Sequence, residues 1–318
     1  LCVLGFDCFE HNAYGRLVVD VNDNLEKIVE FKDASANEKN ITLCNSGVVA
    51  VDGAVIAQLL EKVKNENSQQ EFYLTDIVGI ACEMGLKASF LRVAQDEVLG
   101  VNSRIELAKI EATKQWQLRE KHLLAGVTLV DPASVHFAYD TKIAHDVVIN
   151  PQVVFGCGVE IEKNVEIKSF CHIEGAQIKA GAVVGPFARL RPQTIISQDA
   201  KIGNFVEVKK SLIKKGAKVS HLSYIGDSEI GEESNIGAGV ITCNYDGYNK
   251  FKTEIGDGVF VGSNCALVAP LKIGDGAVVG AGSVITKNVA EGDLAVSRGM
   301  QTNIASGGKK FHTARRKK

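Results

Sequence analysis

From Ile143 onward an aliphatic or aromatic residue returns at nearly every sixth position, and nothing else in the chain limits its fold so tightly. The run is Ile143, Ile149, Phe155, Ile161, Ile167 and Ile173, then a five-residue step to Ile178, then Val184, Leu190, Ile196, Ile202 and Val208. Further five-residue steps lead to Ile213, with Val219 and Ile225, and to Ile230, with Ile236. After an interruption come Ile255, Val261, Leu267, Ile273, Val279 and Ile285, which makes 23 anchors. Gly often follows the anchor, as in Ile202-Gly203, Ile236-Gly237 and Val261-Gly262, and small residues such as Ala200, Ala217 and Ala277 recur four places after it. Each unit reads as a short strand and a corner, with the anchor pointing inward and Gly relieving the steric limit at the corner. One unit cannot bury its own anchor. Stacked coils bury all of them in one column, at roughly 1.5–3 kcal/mol per aliphatic side chain. A β-sandwich would show period-two alternation with irregular spacing instead. The expected architecture is a parallel β-solenoid.

The rest of the chain reads as mixed α/β. Arg16–Val21 and Lys27–Phe31 suggest a hairpin around Asn22-Asp23-Asn24. Leu43–Val51 and Ser89–Val93 read as strands, and Ala54–Asn65 and Thr75–Met84 have helical spacing. Ser103 to about Ala125 forms a long helix, with Ser103 and Glu106 as a capping box and Gly126 as its stop. A rigid connector and a partly buried core helix both fit that pattern. The chain opens on Leu1, inside the apolar run Leu1 to Phe6, as if cut within a strand, so an N-terminal portion is expected to be missing.

Composition narrows the functional classes. A net charge of −2 gives no general affinity for nucleic acid. No signal peptide and no membrane-spanning apolar run is evident, so a cytoplasmic protein is expected. The eight Cys (2, 8, 44, 82, 157, 171, 243 and 265) show no C-x-x-C spacing and read as reduced, mostly buried thiols.

The hexad pattern resembles the hexapeptide-repeat transferases, whose solenoid has three hexads per coil and turns left-handed. That implies seven to eight coils here, counted from the anchors. Longer motifs sharpen the resemblance. Tyr14-Gly15-Arg16, Val29-Glu30-Phe31-Lys32-Asp33, Cys44-Asn45-Ser46-Gly47, Glu71-Phe72-Tyr73-Leu74-Thr75-Asp76 and Gly100-Val101-Asn102 are similar to the later part of a sugar-nucleotide pyrophosphorylase domain. Pro186-Phe187-Ala188-Arg189-Leu190-Arg191-Pro192, Asn204-Phe205-Val206-Glu207-Val208-Lys209, His221-Leu222-Ser223-Tyr224 and the run Asn235 to Gly247 follow in order. Together they resemble the bifunctional N-acetylglucosamine-1-phosphate uridyltransferase / glucosamine-1-phosphate acetyltransferase family, over nearly the whole chain. The resemblance implies a truncated, Rossmann-like α/β uridyltransferase (pyrophosphorylase) domain over 1–102 and a linker helix over 103–126. A left-handed parallel β-helix acetyltransferase domain with a basic tail follows over 127–318.

The chemistry follows the same division. The acetyl acceptor would be the 2-amino group of glucosamine 1-phosphate, which is largely protonated at neutral pH, so a base must take its proton as nitrogen attacks the thioester. A histidine suits that task because its unperturbed pKa is near 6.5. By resemblance His221 is that base, with Glu207 as a weak candidate to orient it. Arg191 and Lys209 follow anchors eighteen apart and should stack as cations on neighbouring coils, a place for a phosphate. By resemblance they bind phosphate and sugar, and Tyr224, Asn235, Asn244 and Tyr245 make further sugar contacts. Ala238, Ser263, Ala281 and Arg298 would contact acetyl-CoA in a groove between the solenoids of a homotrimer. In the first domain Gly15, Glu30 and Asn45 match sugar-nucleotide contacts, and Asn102 matches a ligand of Mg2+. The family's Gly-rich nucleotide loop and the carboxylate that shares the metal do not appear, so this chain is expected to lack uridyl transfer. The basic tail, Lys309-Lys310 and Arg315 to Lys318, reads as a solvated end or as a contributor to the coenzyme's phosphates.

Three other functions fit less well. A γ-type carbonic anhydrase needs a zinc-binding His trio, and His136, His145, His172 and His221 lack short paired spacing. A bare scaffold leaves His221, Arg191 and Lys209 without shared purpose. An ADP-glucose-pyrophosphorylase-like nucleotidyltransferase is the nearest alternative, but its shorter solenoid lacks the His221 and Asn244-Tyr245 run.

Overall fold

The computed structural model describes residues 1–9, 13–101 and 103–315, the side chain of Arg315 excepted. The chain forms two compact units, Leu1–Lys114 and Gln115–Lys318.

The first unit is built on a five-stranded sheet. Its strands are β1 (Cys2–Asp7), β2 (Arg16–Val19), β3 (Leu25–Val29), β4 (Leu43–Ala50) and β5 (Ser89–Arg92), in the order β3-β2-β4-β1-β5. β1 runs antiparallel to β4 and parallel to β5. The β2–β3 hairpin turns where the sequence places Asn22-Asp23-Asn24, with Asp23 at φ 66°. Helix α1 (Ala36–Lys39) carries a capping box between Ser35 and Glu38 that the sequence reading passed over. Helix α2 is only Ile56–Leu60, far shorter than 54–65. It has one residue in the core, Leu59, and no side-chain cap, too little to hold a longer helix. Helix α3 (Ile77–Glu83) buries Ile77, Val78 and Ala81.

The second unit is a triangular prism of stacked coils. Every third strand is hydrogen-bonded to the same sheet, which makes three parallel faces. The first face has eight strands, from Lys142–Ile143 to Leu271–Ile273; the second has ten, from Thr128–Leu129 to Leu294–Ala295; the third has eight, from Val154–Phe155 to Val284–Ile285. The solenoid is therefore longer than seven to eight coils, because Leu129, Phe137 and Ala295 extend the column beyond the regular hexads. Of the anchors, Ile143 alone is only partly buried; the others form one continuous core. The interruption is shorter than the spacing suggests. Thr242 occupies an anchor place opposite Leu267, and its hydroxyl accepts from the Gly226 N–H at 2.8 Å.

The corner between the second and third faces follows a local rule. Two places after the anchor comes an outward residue, and the next one lies in the left-handed region. A Cβ on Gly203 would lie 1.9 Å from the Ser220 carbonyl oxygen. Glycine is thus needed there for close approach of the next coil rather than for a positive φ. The left-handed place is taken by Phe170, Phe187, Phe205 and Leu222, at φ 63°, 56°, 55° and 50°. Bulky residues there cost roughly 1–2 kcal/mol each.

Helix α4 (Arg104–Leu124) opens with the Ser103 hydroxyl accepting from the Glu106 N–H at 3.2 Å. It closes in a Schellman turn, with Gly126 N–H to Leu123 O at 3.0 Å and Val127 N–H to His122 O at 3.0 Å. Its last turns cap the first coil. Leu118 joins the solenoid core, and the Gln115 amide exchanges two hydrogen bonds with the Phe137 backbone, at 2.8 and 2.9 Å. Helix α5 (Gly307–Arg315) ends the described chain.

Candidate active site

Most of the sequence-predicted residues of the solenoid fall on two edges of the prism. On the edge between the second and third faces, Asn204, His221, Ala238, Ser263 and Ala281 stand one above another on successive coils. The backbone joins each to the next coil: Leu222 N to Asn204 O at 3.0 Å, Gly239 N to His221 O at 3.2 Å, Asn264 N to Ala238 O at 2.7 Å and Gly282 N to Ser263 O at 2.8 Å. Arg298 extends the line by donating from Nη1 to the Ala281 carbonyl at 2.8 Å. This column is the geometry the sequence gives no direct sight of, because its spacings of 17, 25 and 18 residues are irregular.

His221 is exposed at the end of strand Lys218–His221. Its Nδ1 lies 2.7 Å from the side-chain Oδ1 of Asn204, its partner in the strand below. With a carbonyl as acceptor, Nδ1 carries the proton, so the neutral ring has its lone pair on Nε2. Glu207, the weak candidate for that partner, is instead paired with Arg191 at 2.9 Å. An open depression of about 330 Å³ adjoins the imidazole, lined in part by Lys168, Pro186, Phe187, Lys201 and Phe205.

The second edge, between the third and first faces, gathers charge. Arg191 and Lys209 follow the stacked anchors Leu190 and Val208. Lys209 Nζ is 4.0 Å and Lys210 Nζ 3.5 Å from the buried carboxylate of Asp227. Asn244 donates to that carboxylate from Nδ2 at 2.6 Å. The inserted segment folds back through an antiparallel bridge between Tyr245 and Lys250, and Asp246 accepts from the backbone of Tyr248 and Asn249. Those donors hold the Asp246 carboxyl below its usual value. Lys250 arrives beside Lys209, whose ammonium lowers the Lys250 pKa. Sequence reading missed Asp227 and Lys250. Asp227 stands one place past Gly226, the register partner of Lys209, and Lys250 is placed by the fold of the inserted segment, so neither had a spacing signal. Tyr224 lies on the third face in register with Glu207 and Ile241, whereas Asn235 lies on the second, in register with Lys218 and Phe260. One chain therefore does not bring Tyr224 and Asn235 together.

In the first unit Gly15, Glu30 and Asn45 do meet. The Asn45 N–H donates to the Gly15 carbonyl at 2.8 Å, and a Cβ on Gly15 would lie 3.5 Å from the Glu30 carboxylate. Thr75 holds that carboxylate with a 2.9 Å hydrogen bond. Glu30, Asn45 and Thr75 line a depression of about 250 Å³. Asn102, the expected Mg2+ ligand, lies outside the described residues. Among the described residues no three His, Cys, Asp or Glu side chains converge as metal ligands, and no helix is long and apolar enough to cross a membrane.

Two family models match within the solenoid: "GMPPB C-terminal domain" over residues 177–268 and "Bacterial transferase hexapeptide (six repeats)" over 252–287. Longer matches come from curated proteins. The bifunctional protein GlmU of Paramagnetospirillum magneticum is 52% identical over 97% of this chain and 69% of its own length. That of Zymomonas mobilis is 51% identical over 100% of this chain and 71% of its own, and that of Jannaschia sp. 51% over 95% and 66%. The chain thus spans about two thirds of the length of the relatives it matches. Half-identity sustained through both units, with the hexads and the site motifs in the same chain, decides against an ADP-glucose pyrophosphorylase relative. The solenoid is accordingly a left-handed β-helix, and the chain belongs to the GlmU family of bifunctional N-acetylglucosamine-1-phosphate uridyltransferases and glucosamine-1-phosphate acetyltransferases.

Proposed function

We propose that this chain transfers the acetyl group of acetyl-CoA to the 2-amino group of glucosamine 1-phosphate, with His221 as the base. The observation that carries this reading is the single column from His221 through Ala238, Ser263 and Ala281 to Arg298. The small side chains let an extended thioester lie close against the edge, and Arg298 is a cation for the coenzyme's phosphates. His221 Nε2 takes a proton from the acceptor nitrogen as that nitrogen bonds to the thioester carbonyl carbon. The tetrahedral intermediate then expels the thiolate, which gains a proton. Arg191 and Lys209, joined by Lys250, hold the acceptor's phosphate; Tyr224, Asn235, Asn244 and Tyr245 hold the sugar. The work divides along the chain as 1–102, 103–126 and 127–318. Gly15, Glu30 and Asn45 would hold the sugar in uridyl transfer.

The working unit in this reading is a homotrimer. Tyr224 and Asn235 face out of different sides of one prism, so a pocket using both lies between two copies. The edge beside the column carries the exposed ladder Phe170, Phe187, Phe205 and Leu222, with ring centroids 4.7 and 4.9 Å apart. If this edge lies on a threefold axis, a triangular corner fills only about half of the third of a turn allotted to each subunit. The rest is a wedge-shaped cleft between the second face of one copy and the third face of the next.

The experiment is a thiol-release assay with acetyl-CoA and glucosamine 1-phosphate on the wild type and His221→Ala. Loss of the base should lower kcat by about 10²–10⁴-fold. Equal rates for the two proteins would remove His221 from the mechanism.

A further inference from the structure

We infer that Asn204 is a positioning residue for acetyl transfer: its side-chain carbonyl fixes the imidazole of His221 in the tautomer that leaves Nε2 free to accept a proton. This rests on the reading of His221 as the base.

Two independent observations carry it. The first is the contact itself. Asn204 and His221 are register partners in neighbouring coils, and Oδ1 lies 2.7 Å from Nδ1. An amide oxygen accepts but does not donate, so it selects the form with the proton on Nδ1. The second is the pattern along the edge. On the coils above His221 the column place holds Ala238, Ser263 and Ala281, so the fold itself asks only for a small residue there. The inward positions of this coil are already filled by Ile202 and Val206, both buried. The long amide at 204 therefore meets no demand of the solenoid core; its side chain points along the edge and meets His221.

The residue type also suits the reaction. A carboxylate in the same place would favour the imidazolium, which has no lone pair to offer. An amide orients the ring and adds no charge. The charged residues that line the depression beside the imidazole are Lys168 and Lys201, and its own strand begins with Lys218; all three are cations. No carboxylate among the described residues lines that depression.

The test compares Asn204→Ala, Asn204→Asp and His221→Ala in the thiol-release assay across pH 6 to 9.5. Asn204→Ala should lower kcat by roughly 10- to 100-fold, with both KM values within about twofold of wild type. Asn204→Asp, nearly the same shape, should move the acidic limb of the kcat/KM profile up by about one pH unit and recover most of the wild-type rate above it. A wild-type kcat for Asn204→Ala, or an unmoved acidic limb for Asn204→Asp, would overturn the inference. Full activity in His221→Ala would instead remove the reading beneath it, so the two failures are told apart. Should Asn204→Ala fold poorly, Asn204→Asp decides alone.

Discussion

At Gly226 the third face has no room for a side chain. A Cβ there would lie 2.5 Å from the Tyr224 hydroxyl and 2.8 Å from Asn244 Nδ2, two groups expected to hold the sugar. Gly226→Ala should therefore displace both without touching the column from His221 to Arg298. We expect KM for glucosamine 1-phosphate to rise about tenfold, with KM for acetyl-CoA unchanged and the far-ultraviolet spectrum intact. Steady-state kinetics with each substrate varied in turn checks this; equal rises in both KM values would count against it. Residues like this one show where sequence reading stops. His221, Arg191 and Lys209 stood out because motifs and an eighteen-residue spacing singled them out. Asn204 lay within a recognised motif, but its pairing with His221 was hidden. The five-residue step from Val208 to Ile213 shortens that coil to seventeen, so a search at eighteen misses the partner. Asp227 and Lys250 take their meaning from the folded insertion.

Helix α4 shows the same division at the scale of an element. Its ends were legible, since Ser103 and Gly126 are local signals with local geometry. What it packs on was not, because only Gln115, Leu118 and His122 are buried in it, too few to mark a stripe. His122 lies against the Phe137 ring, with centroids 4.8 Å apart, and its Nε2 has no hydrogen-bond partner. Burial, aided by Lys121, pushes its pKa below the ordinary histidine value. The unfolded chain then binds the proton more readily than the folded one. Stability is full above about pH 6.5 and falls as pH drops through the folded value. Thermal melts between pH 7.5 and 5 should show a declining transition that is flatter in His122→Phe. Identical pH slopes would show that the helix cap is not the titrating element.

Across the whole solenoid the three faces differ in what they offer a neighbour. The first carries ion pairs linking Lys214, Glu229, Lys252, Glu254 and Lys272, and its lysine partners hold Glu229 down at about 2. A face so charged is suited to water. The second exposes Phe260, Val278 and Leu294, and the third Ile241 and Val284, on either side of the column. The hexad rhythm predicted the prism, yet only stacking reveals that its outward residues sort by face. Phe205→Asp, placed in the exposed ladder, should yield a monomer by light scattering. It should keep the β-sheet spectrum and lose at least about tenfold in kcat/KM. A fully active monomer would sink the shared cleft.

The stacked edge also acts as a ruler. Its marks are the coils themselves, one rise of about 4.8 Å apiece, so His221 and Ala281 stand about 14 Å apart with Arg298 just beyond. Because each layer touches only the layers beside it, the proposed placement of the coenzyme requires that its length and the tally of layers match one another. Insert a layer between Ser263 and Ala281, and the prism would still close; its gauge would no longer fit what it measures.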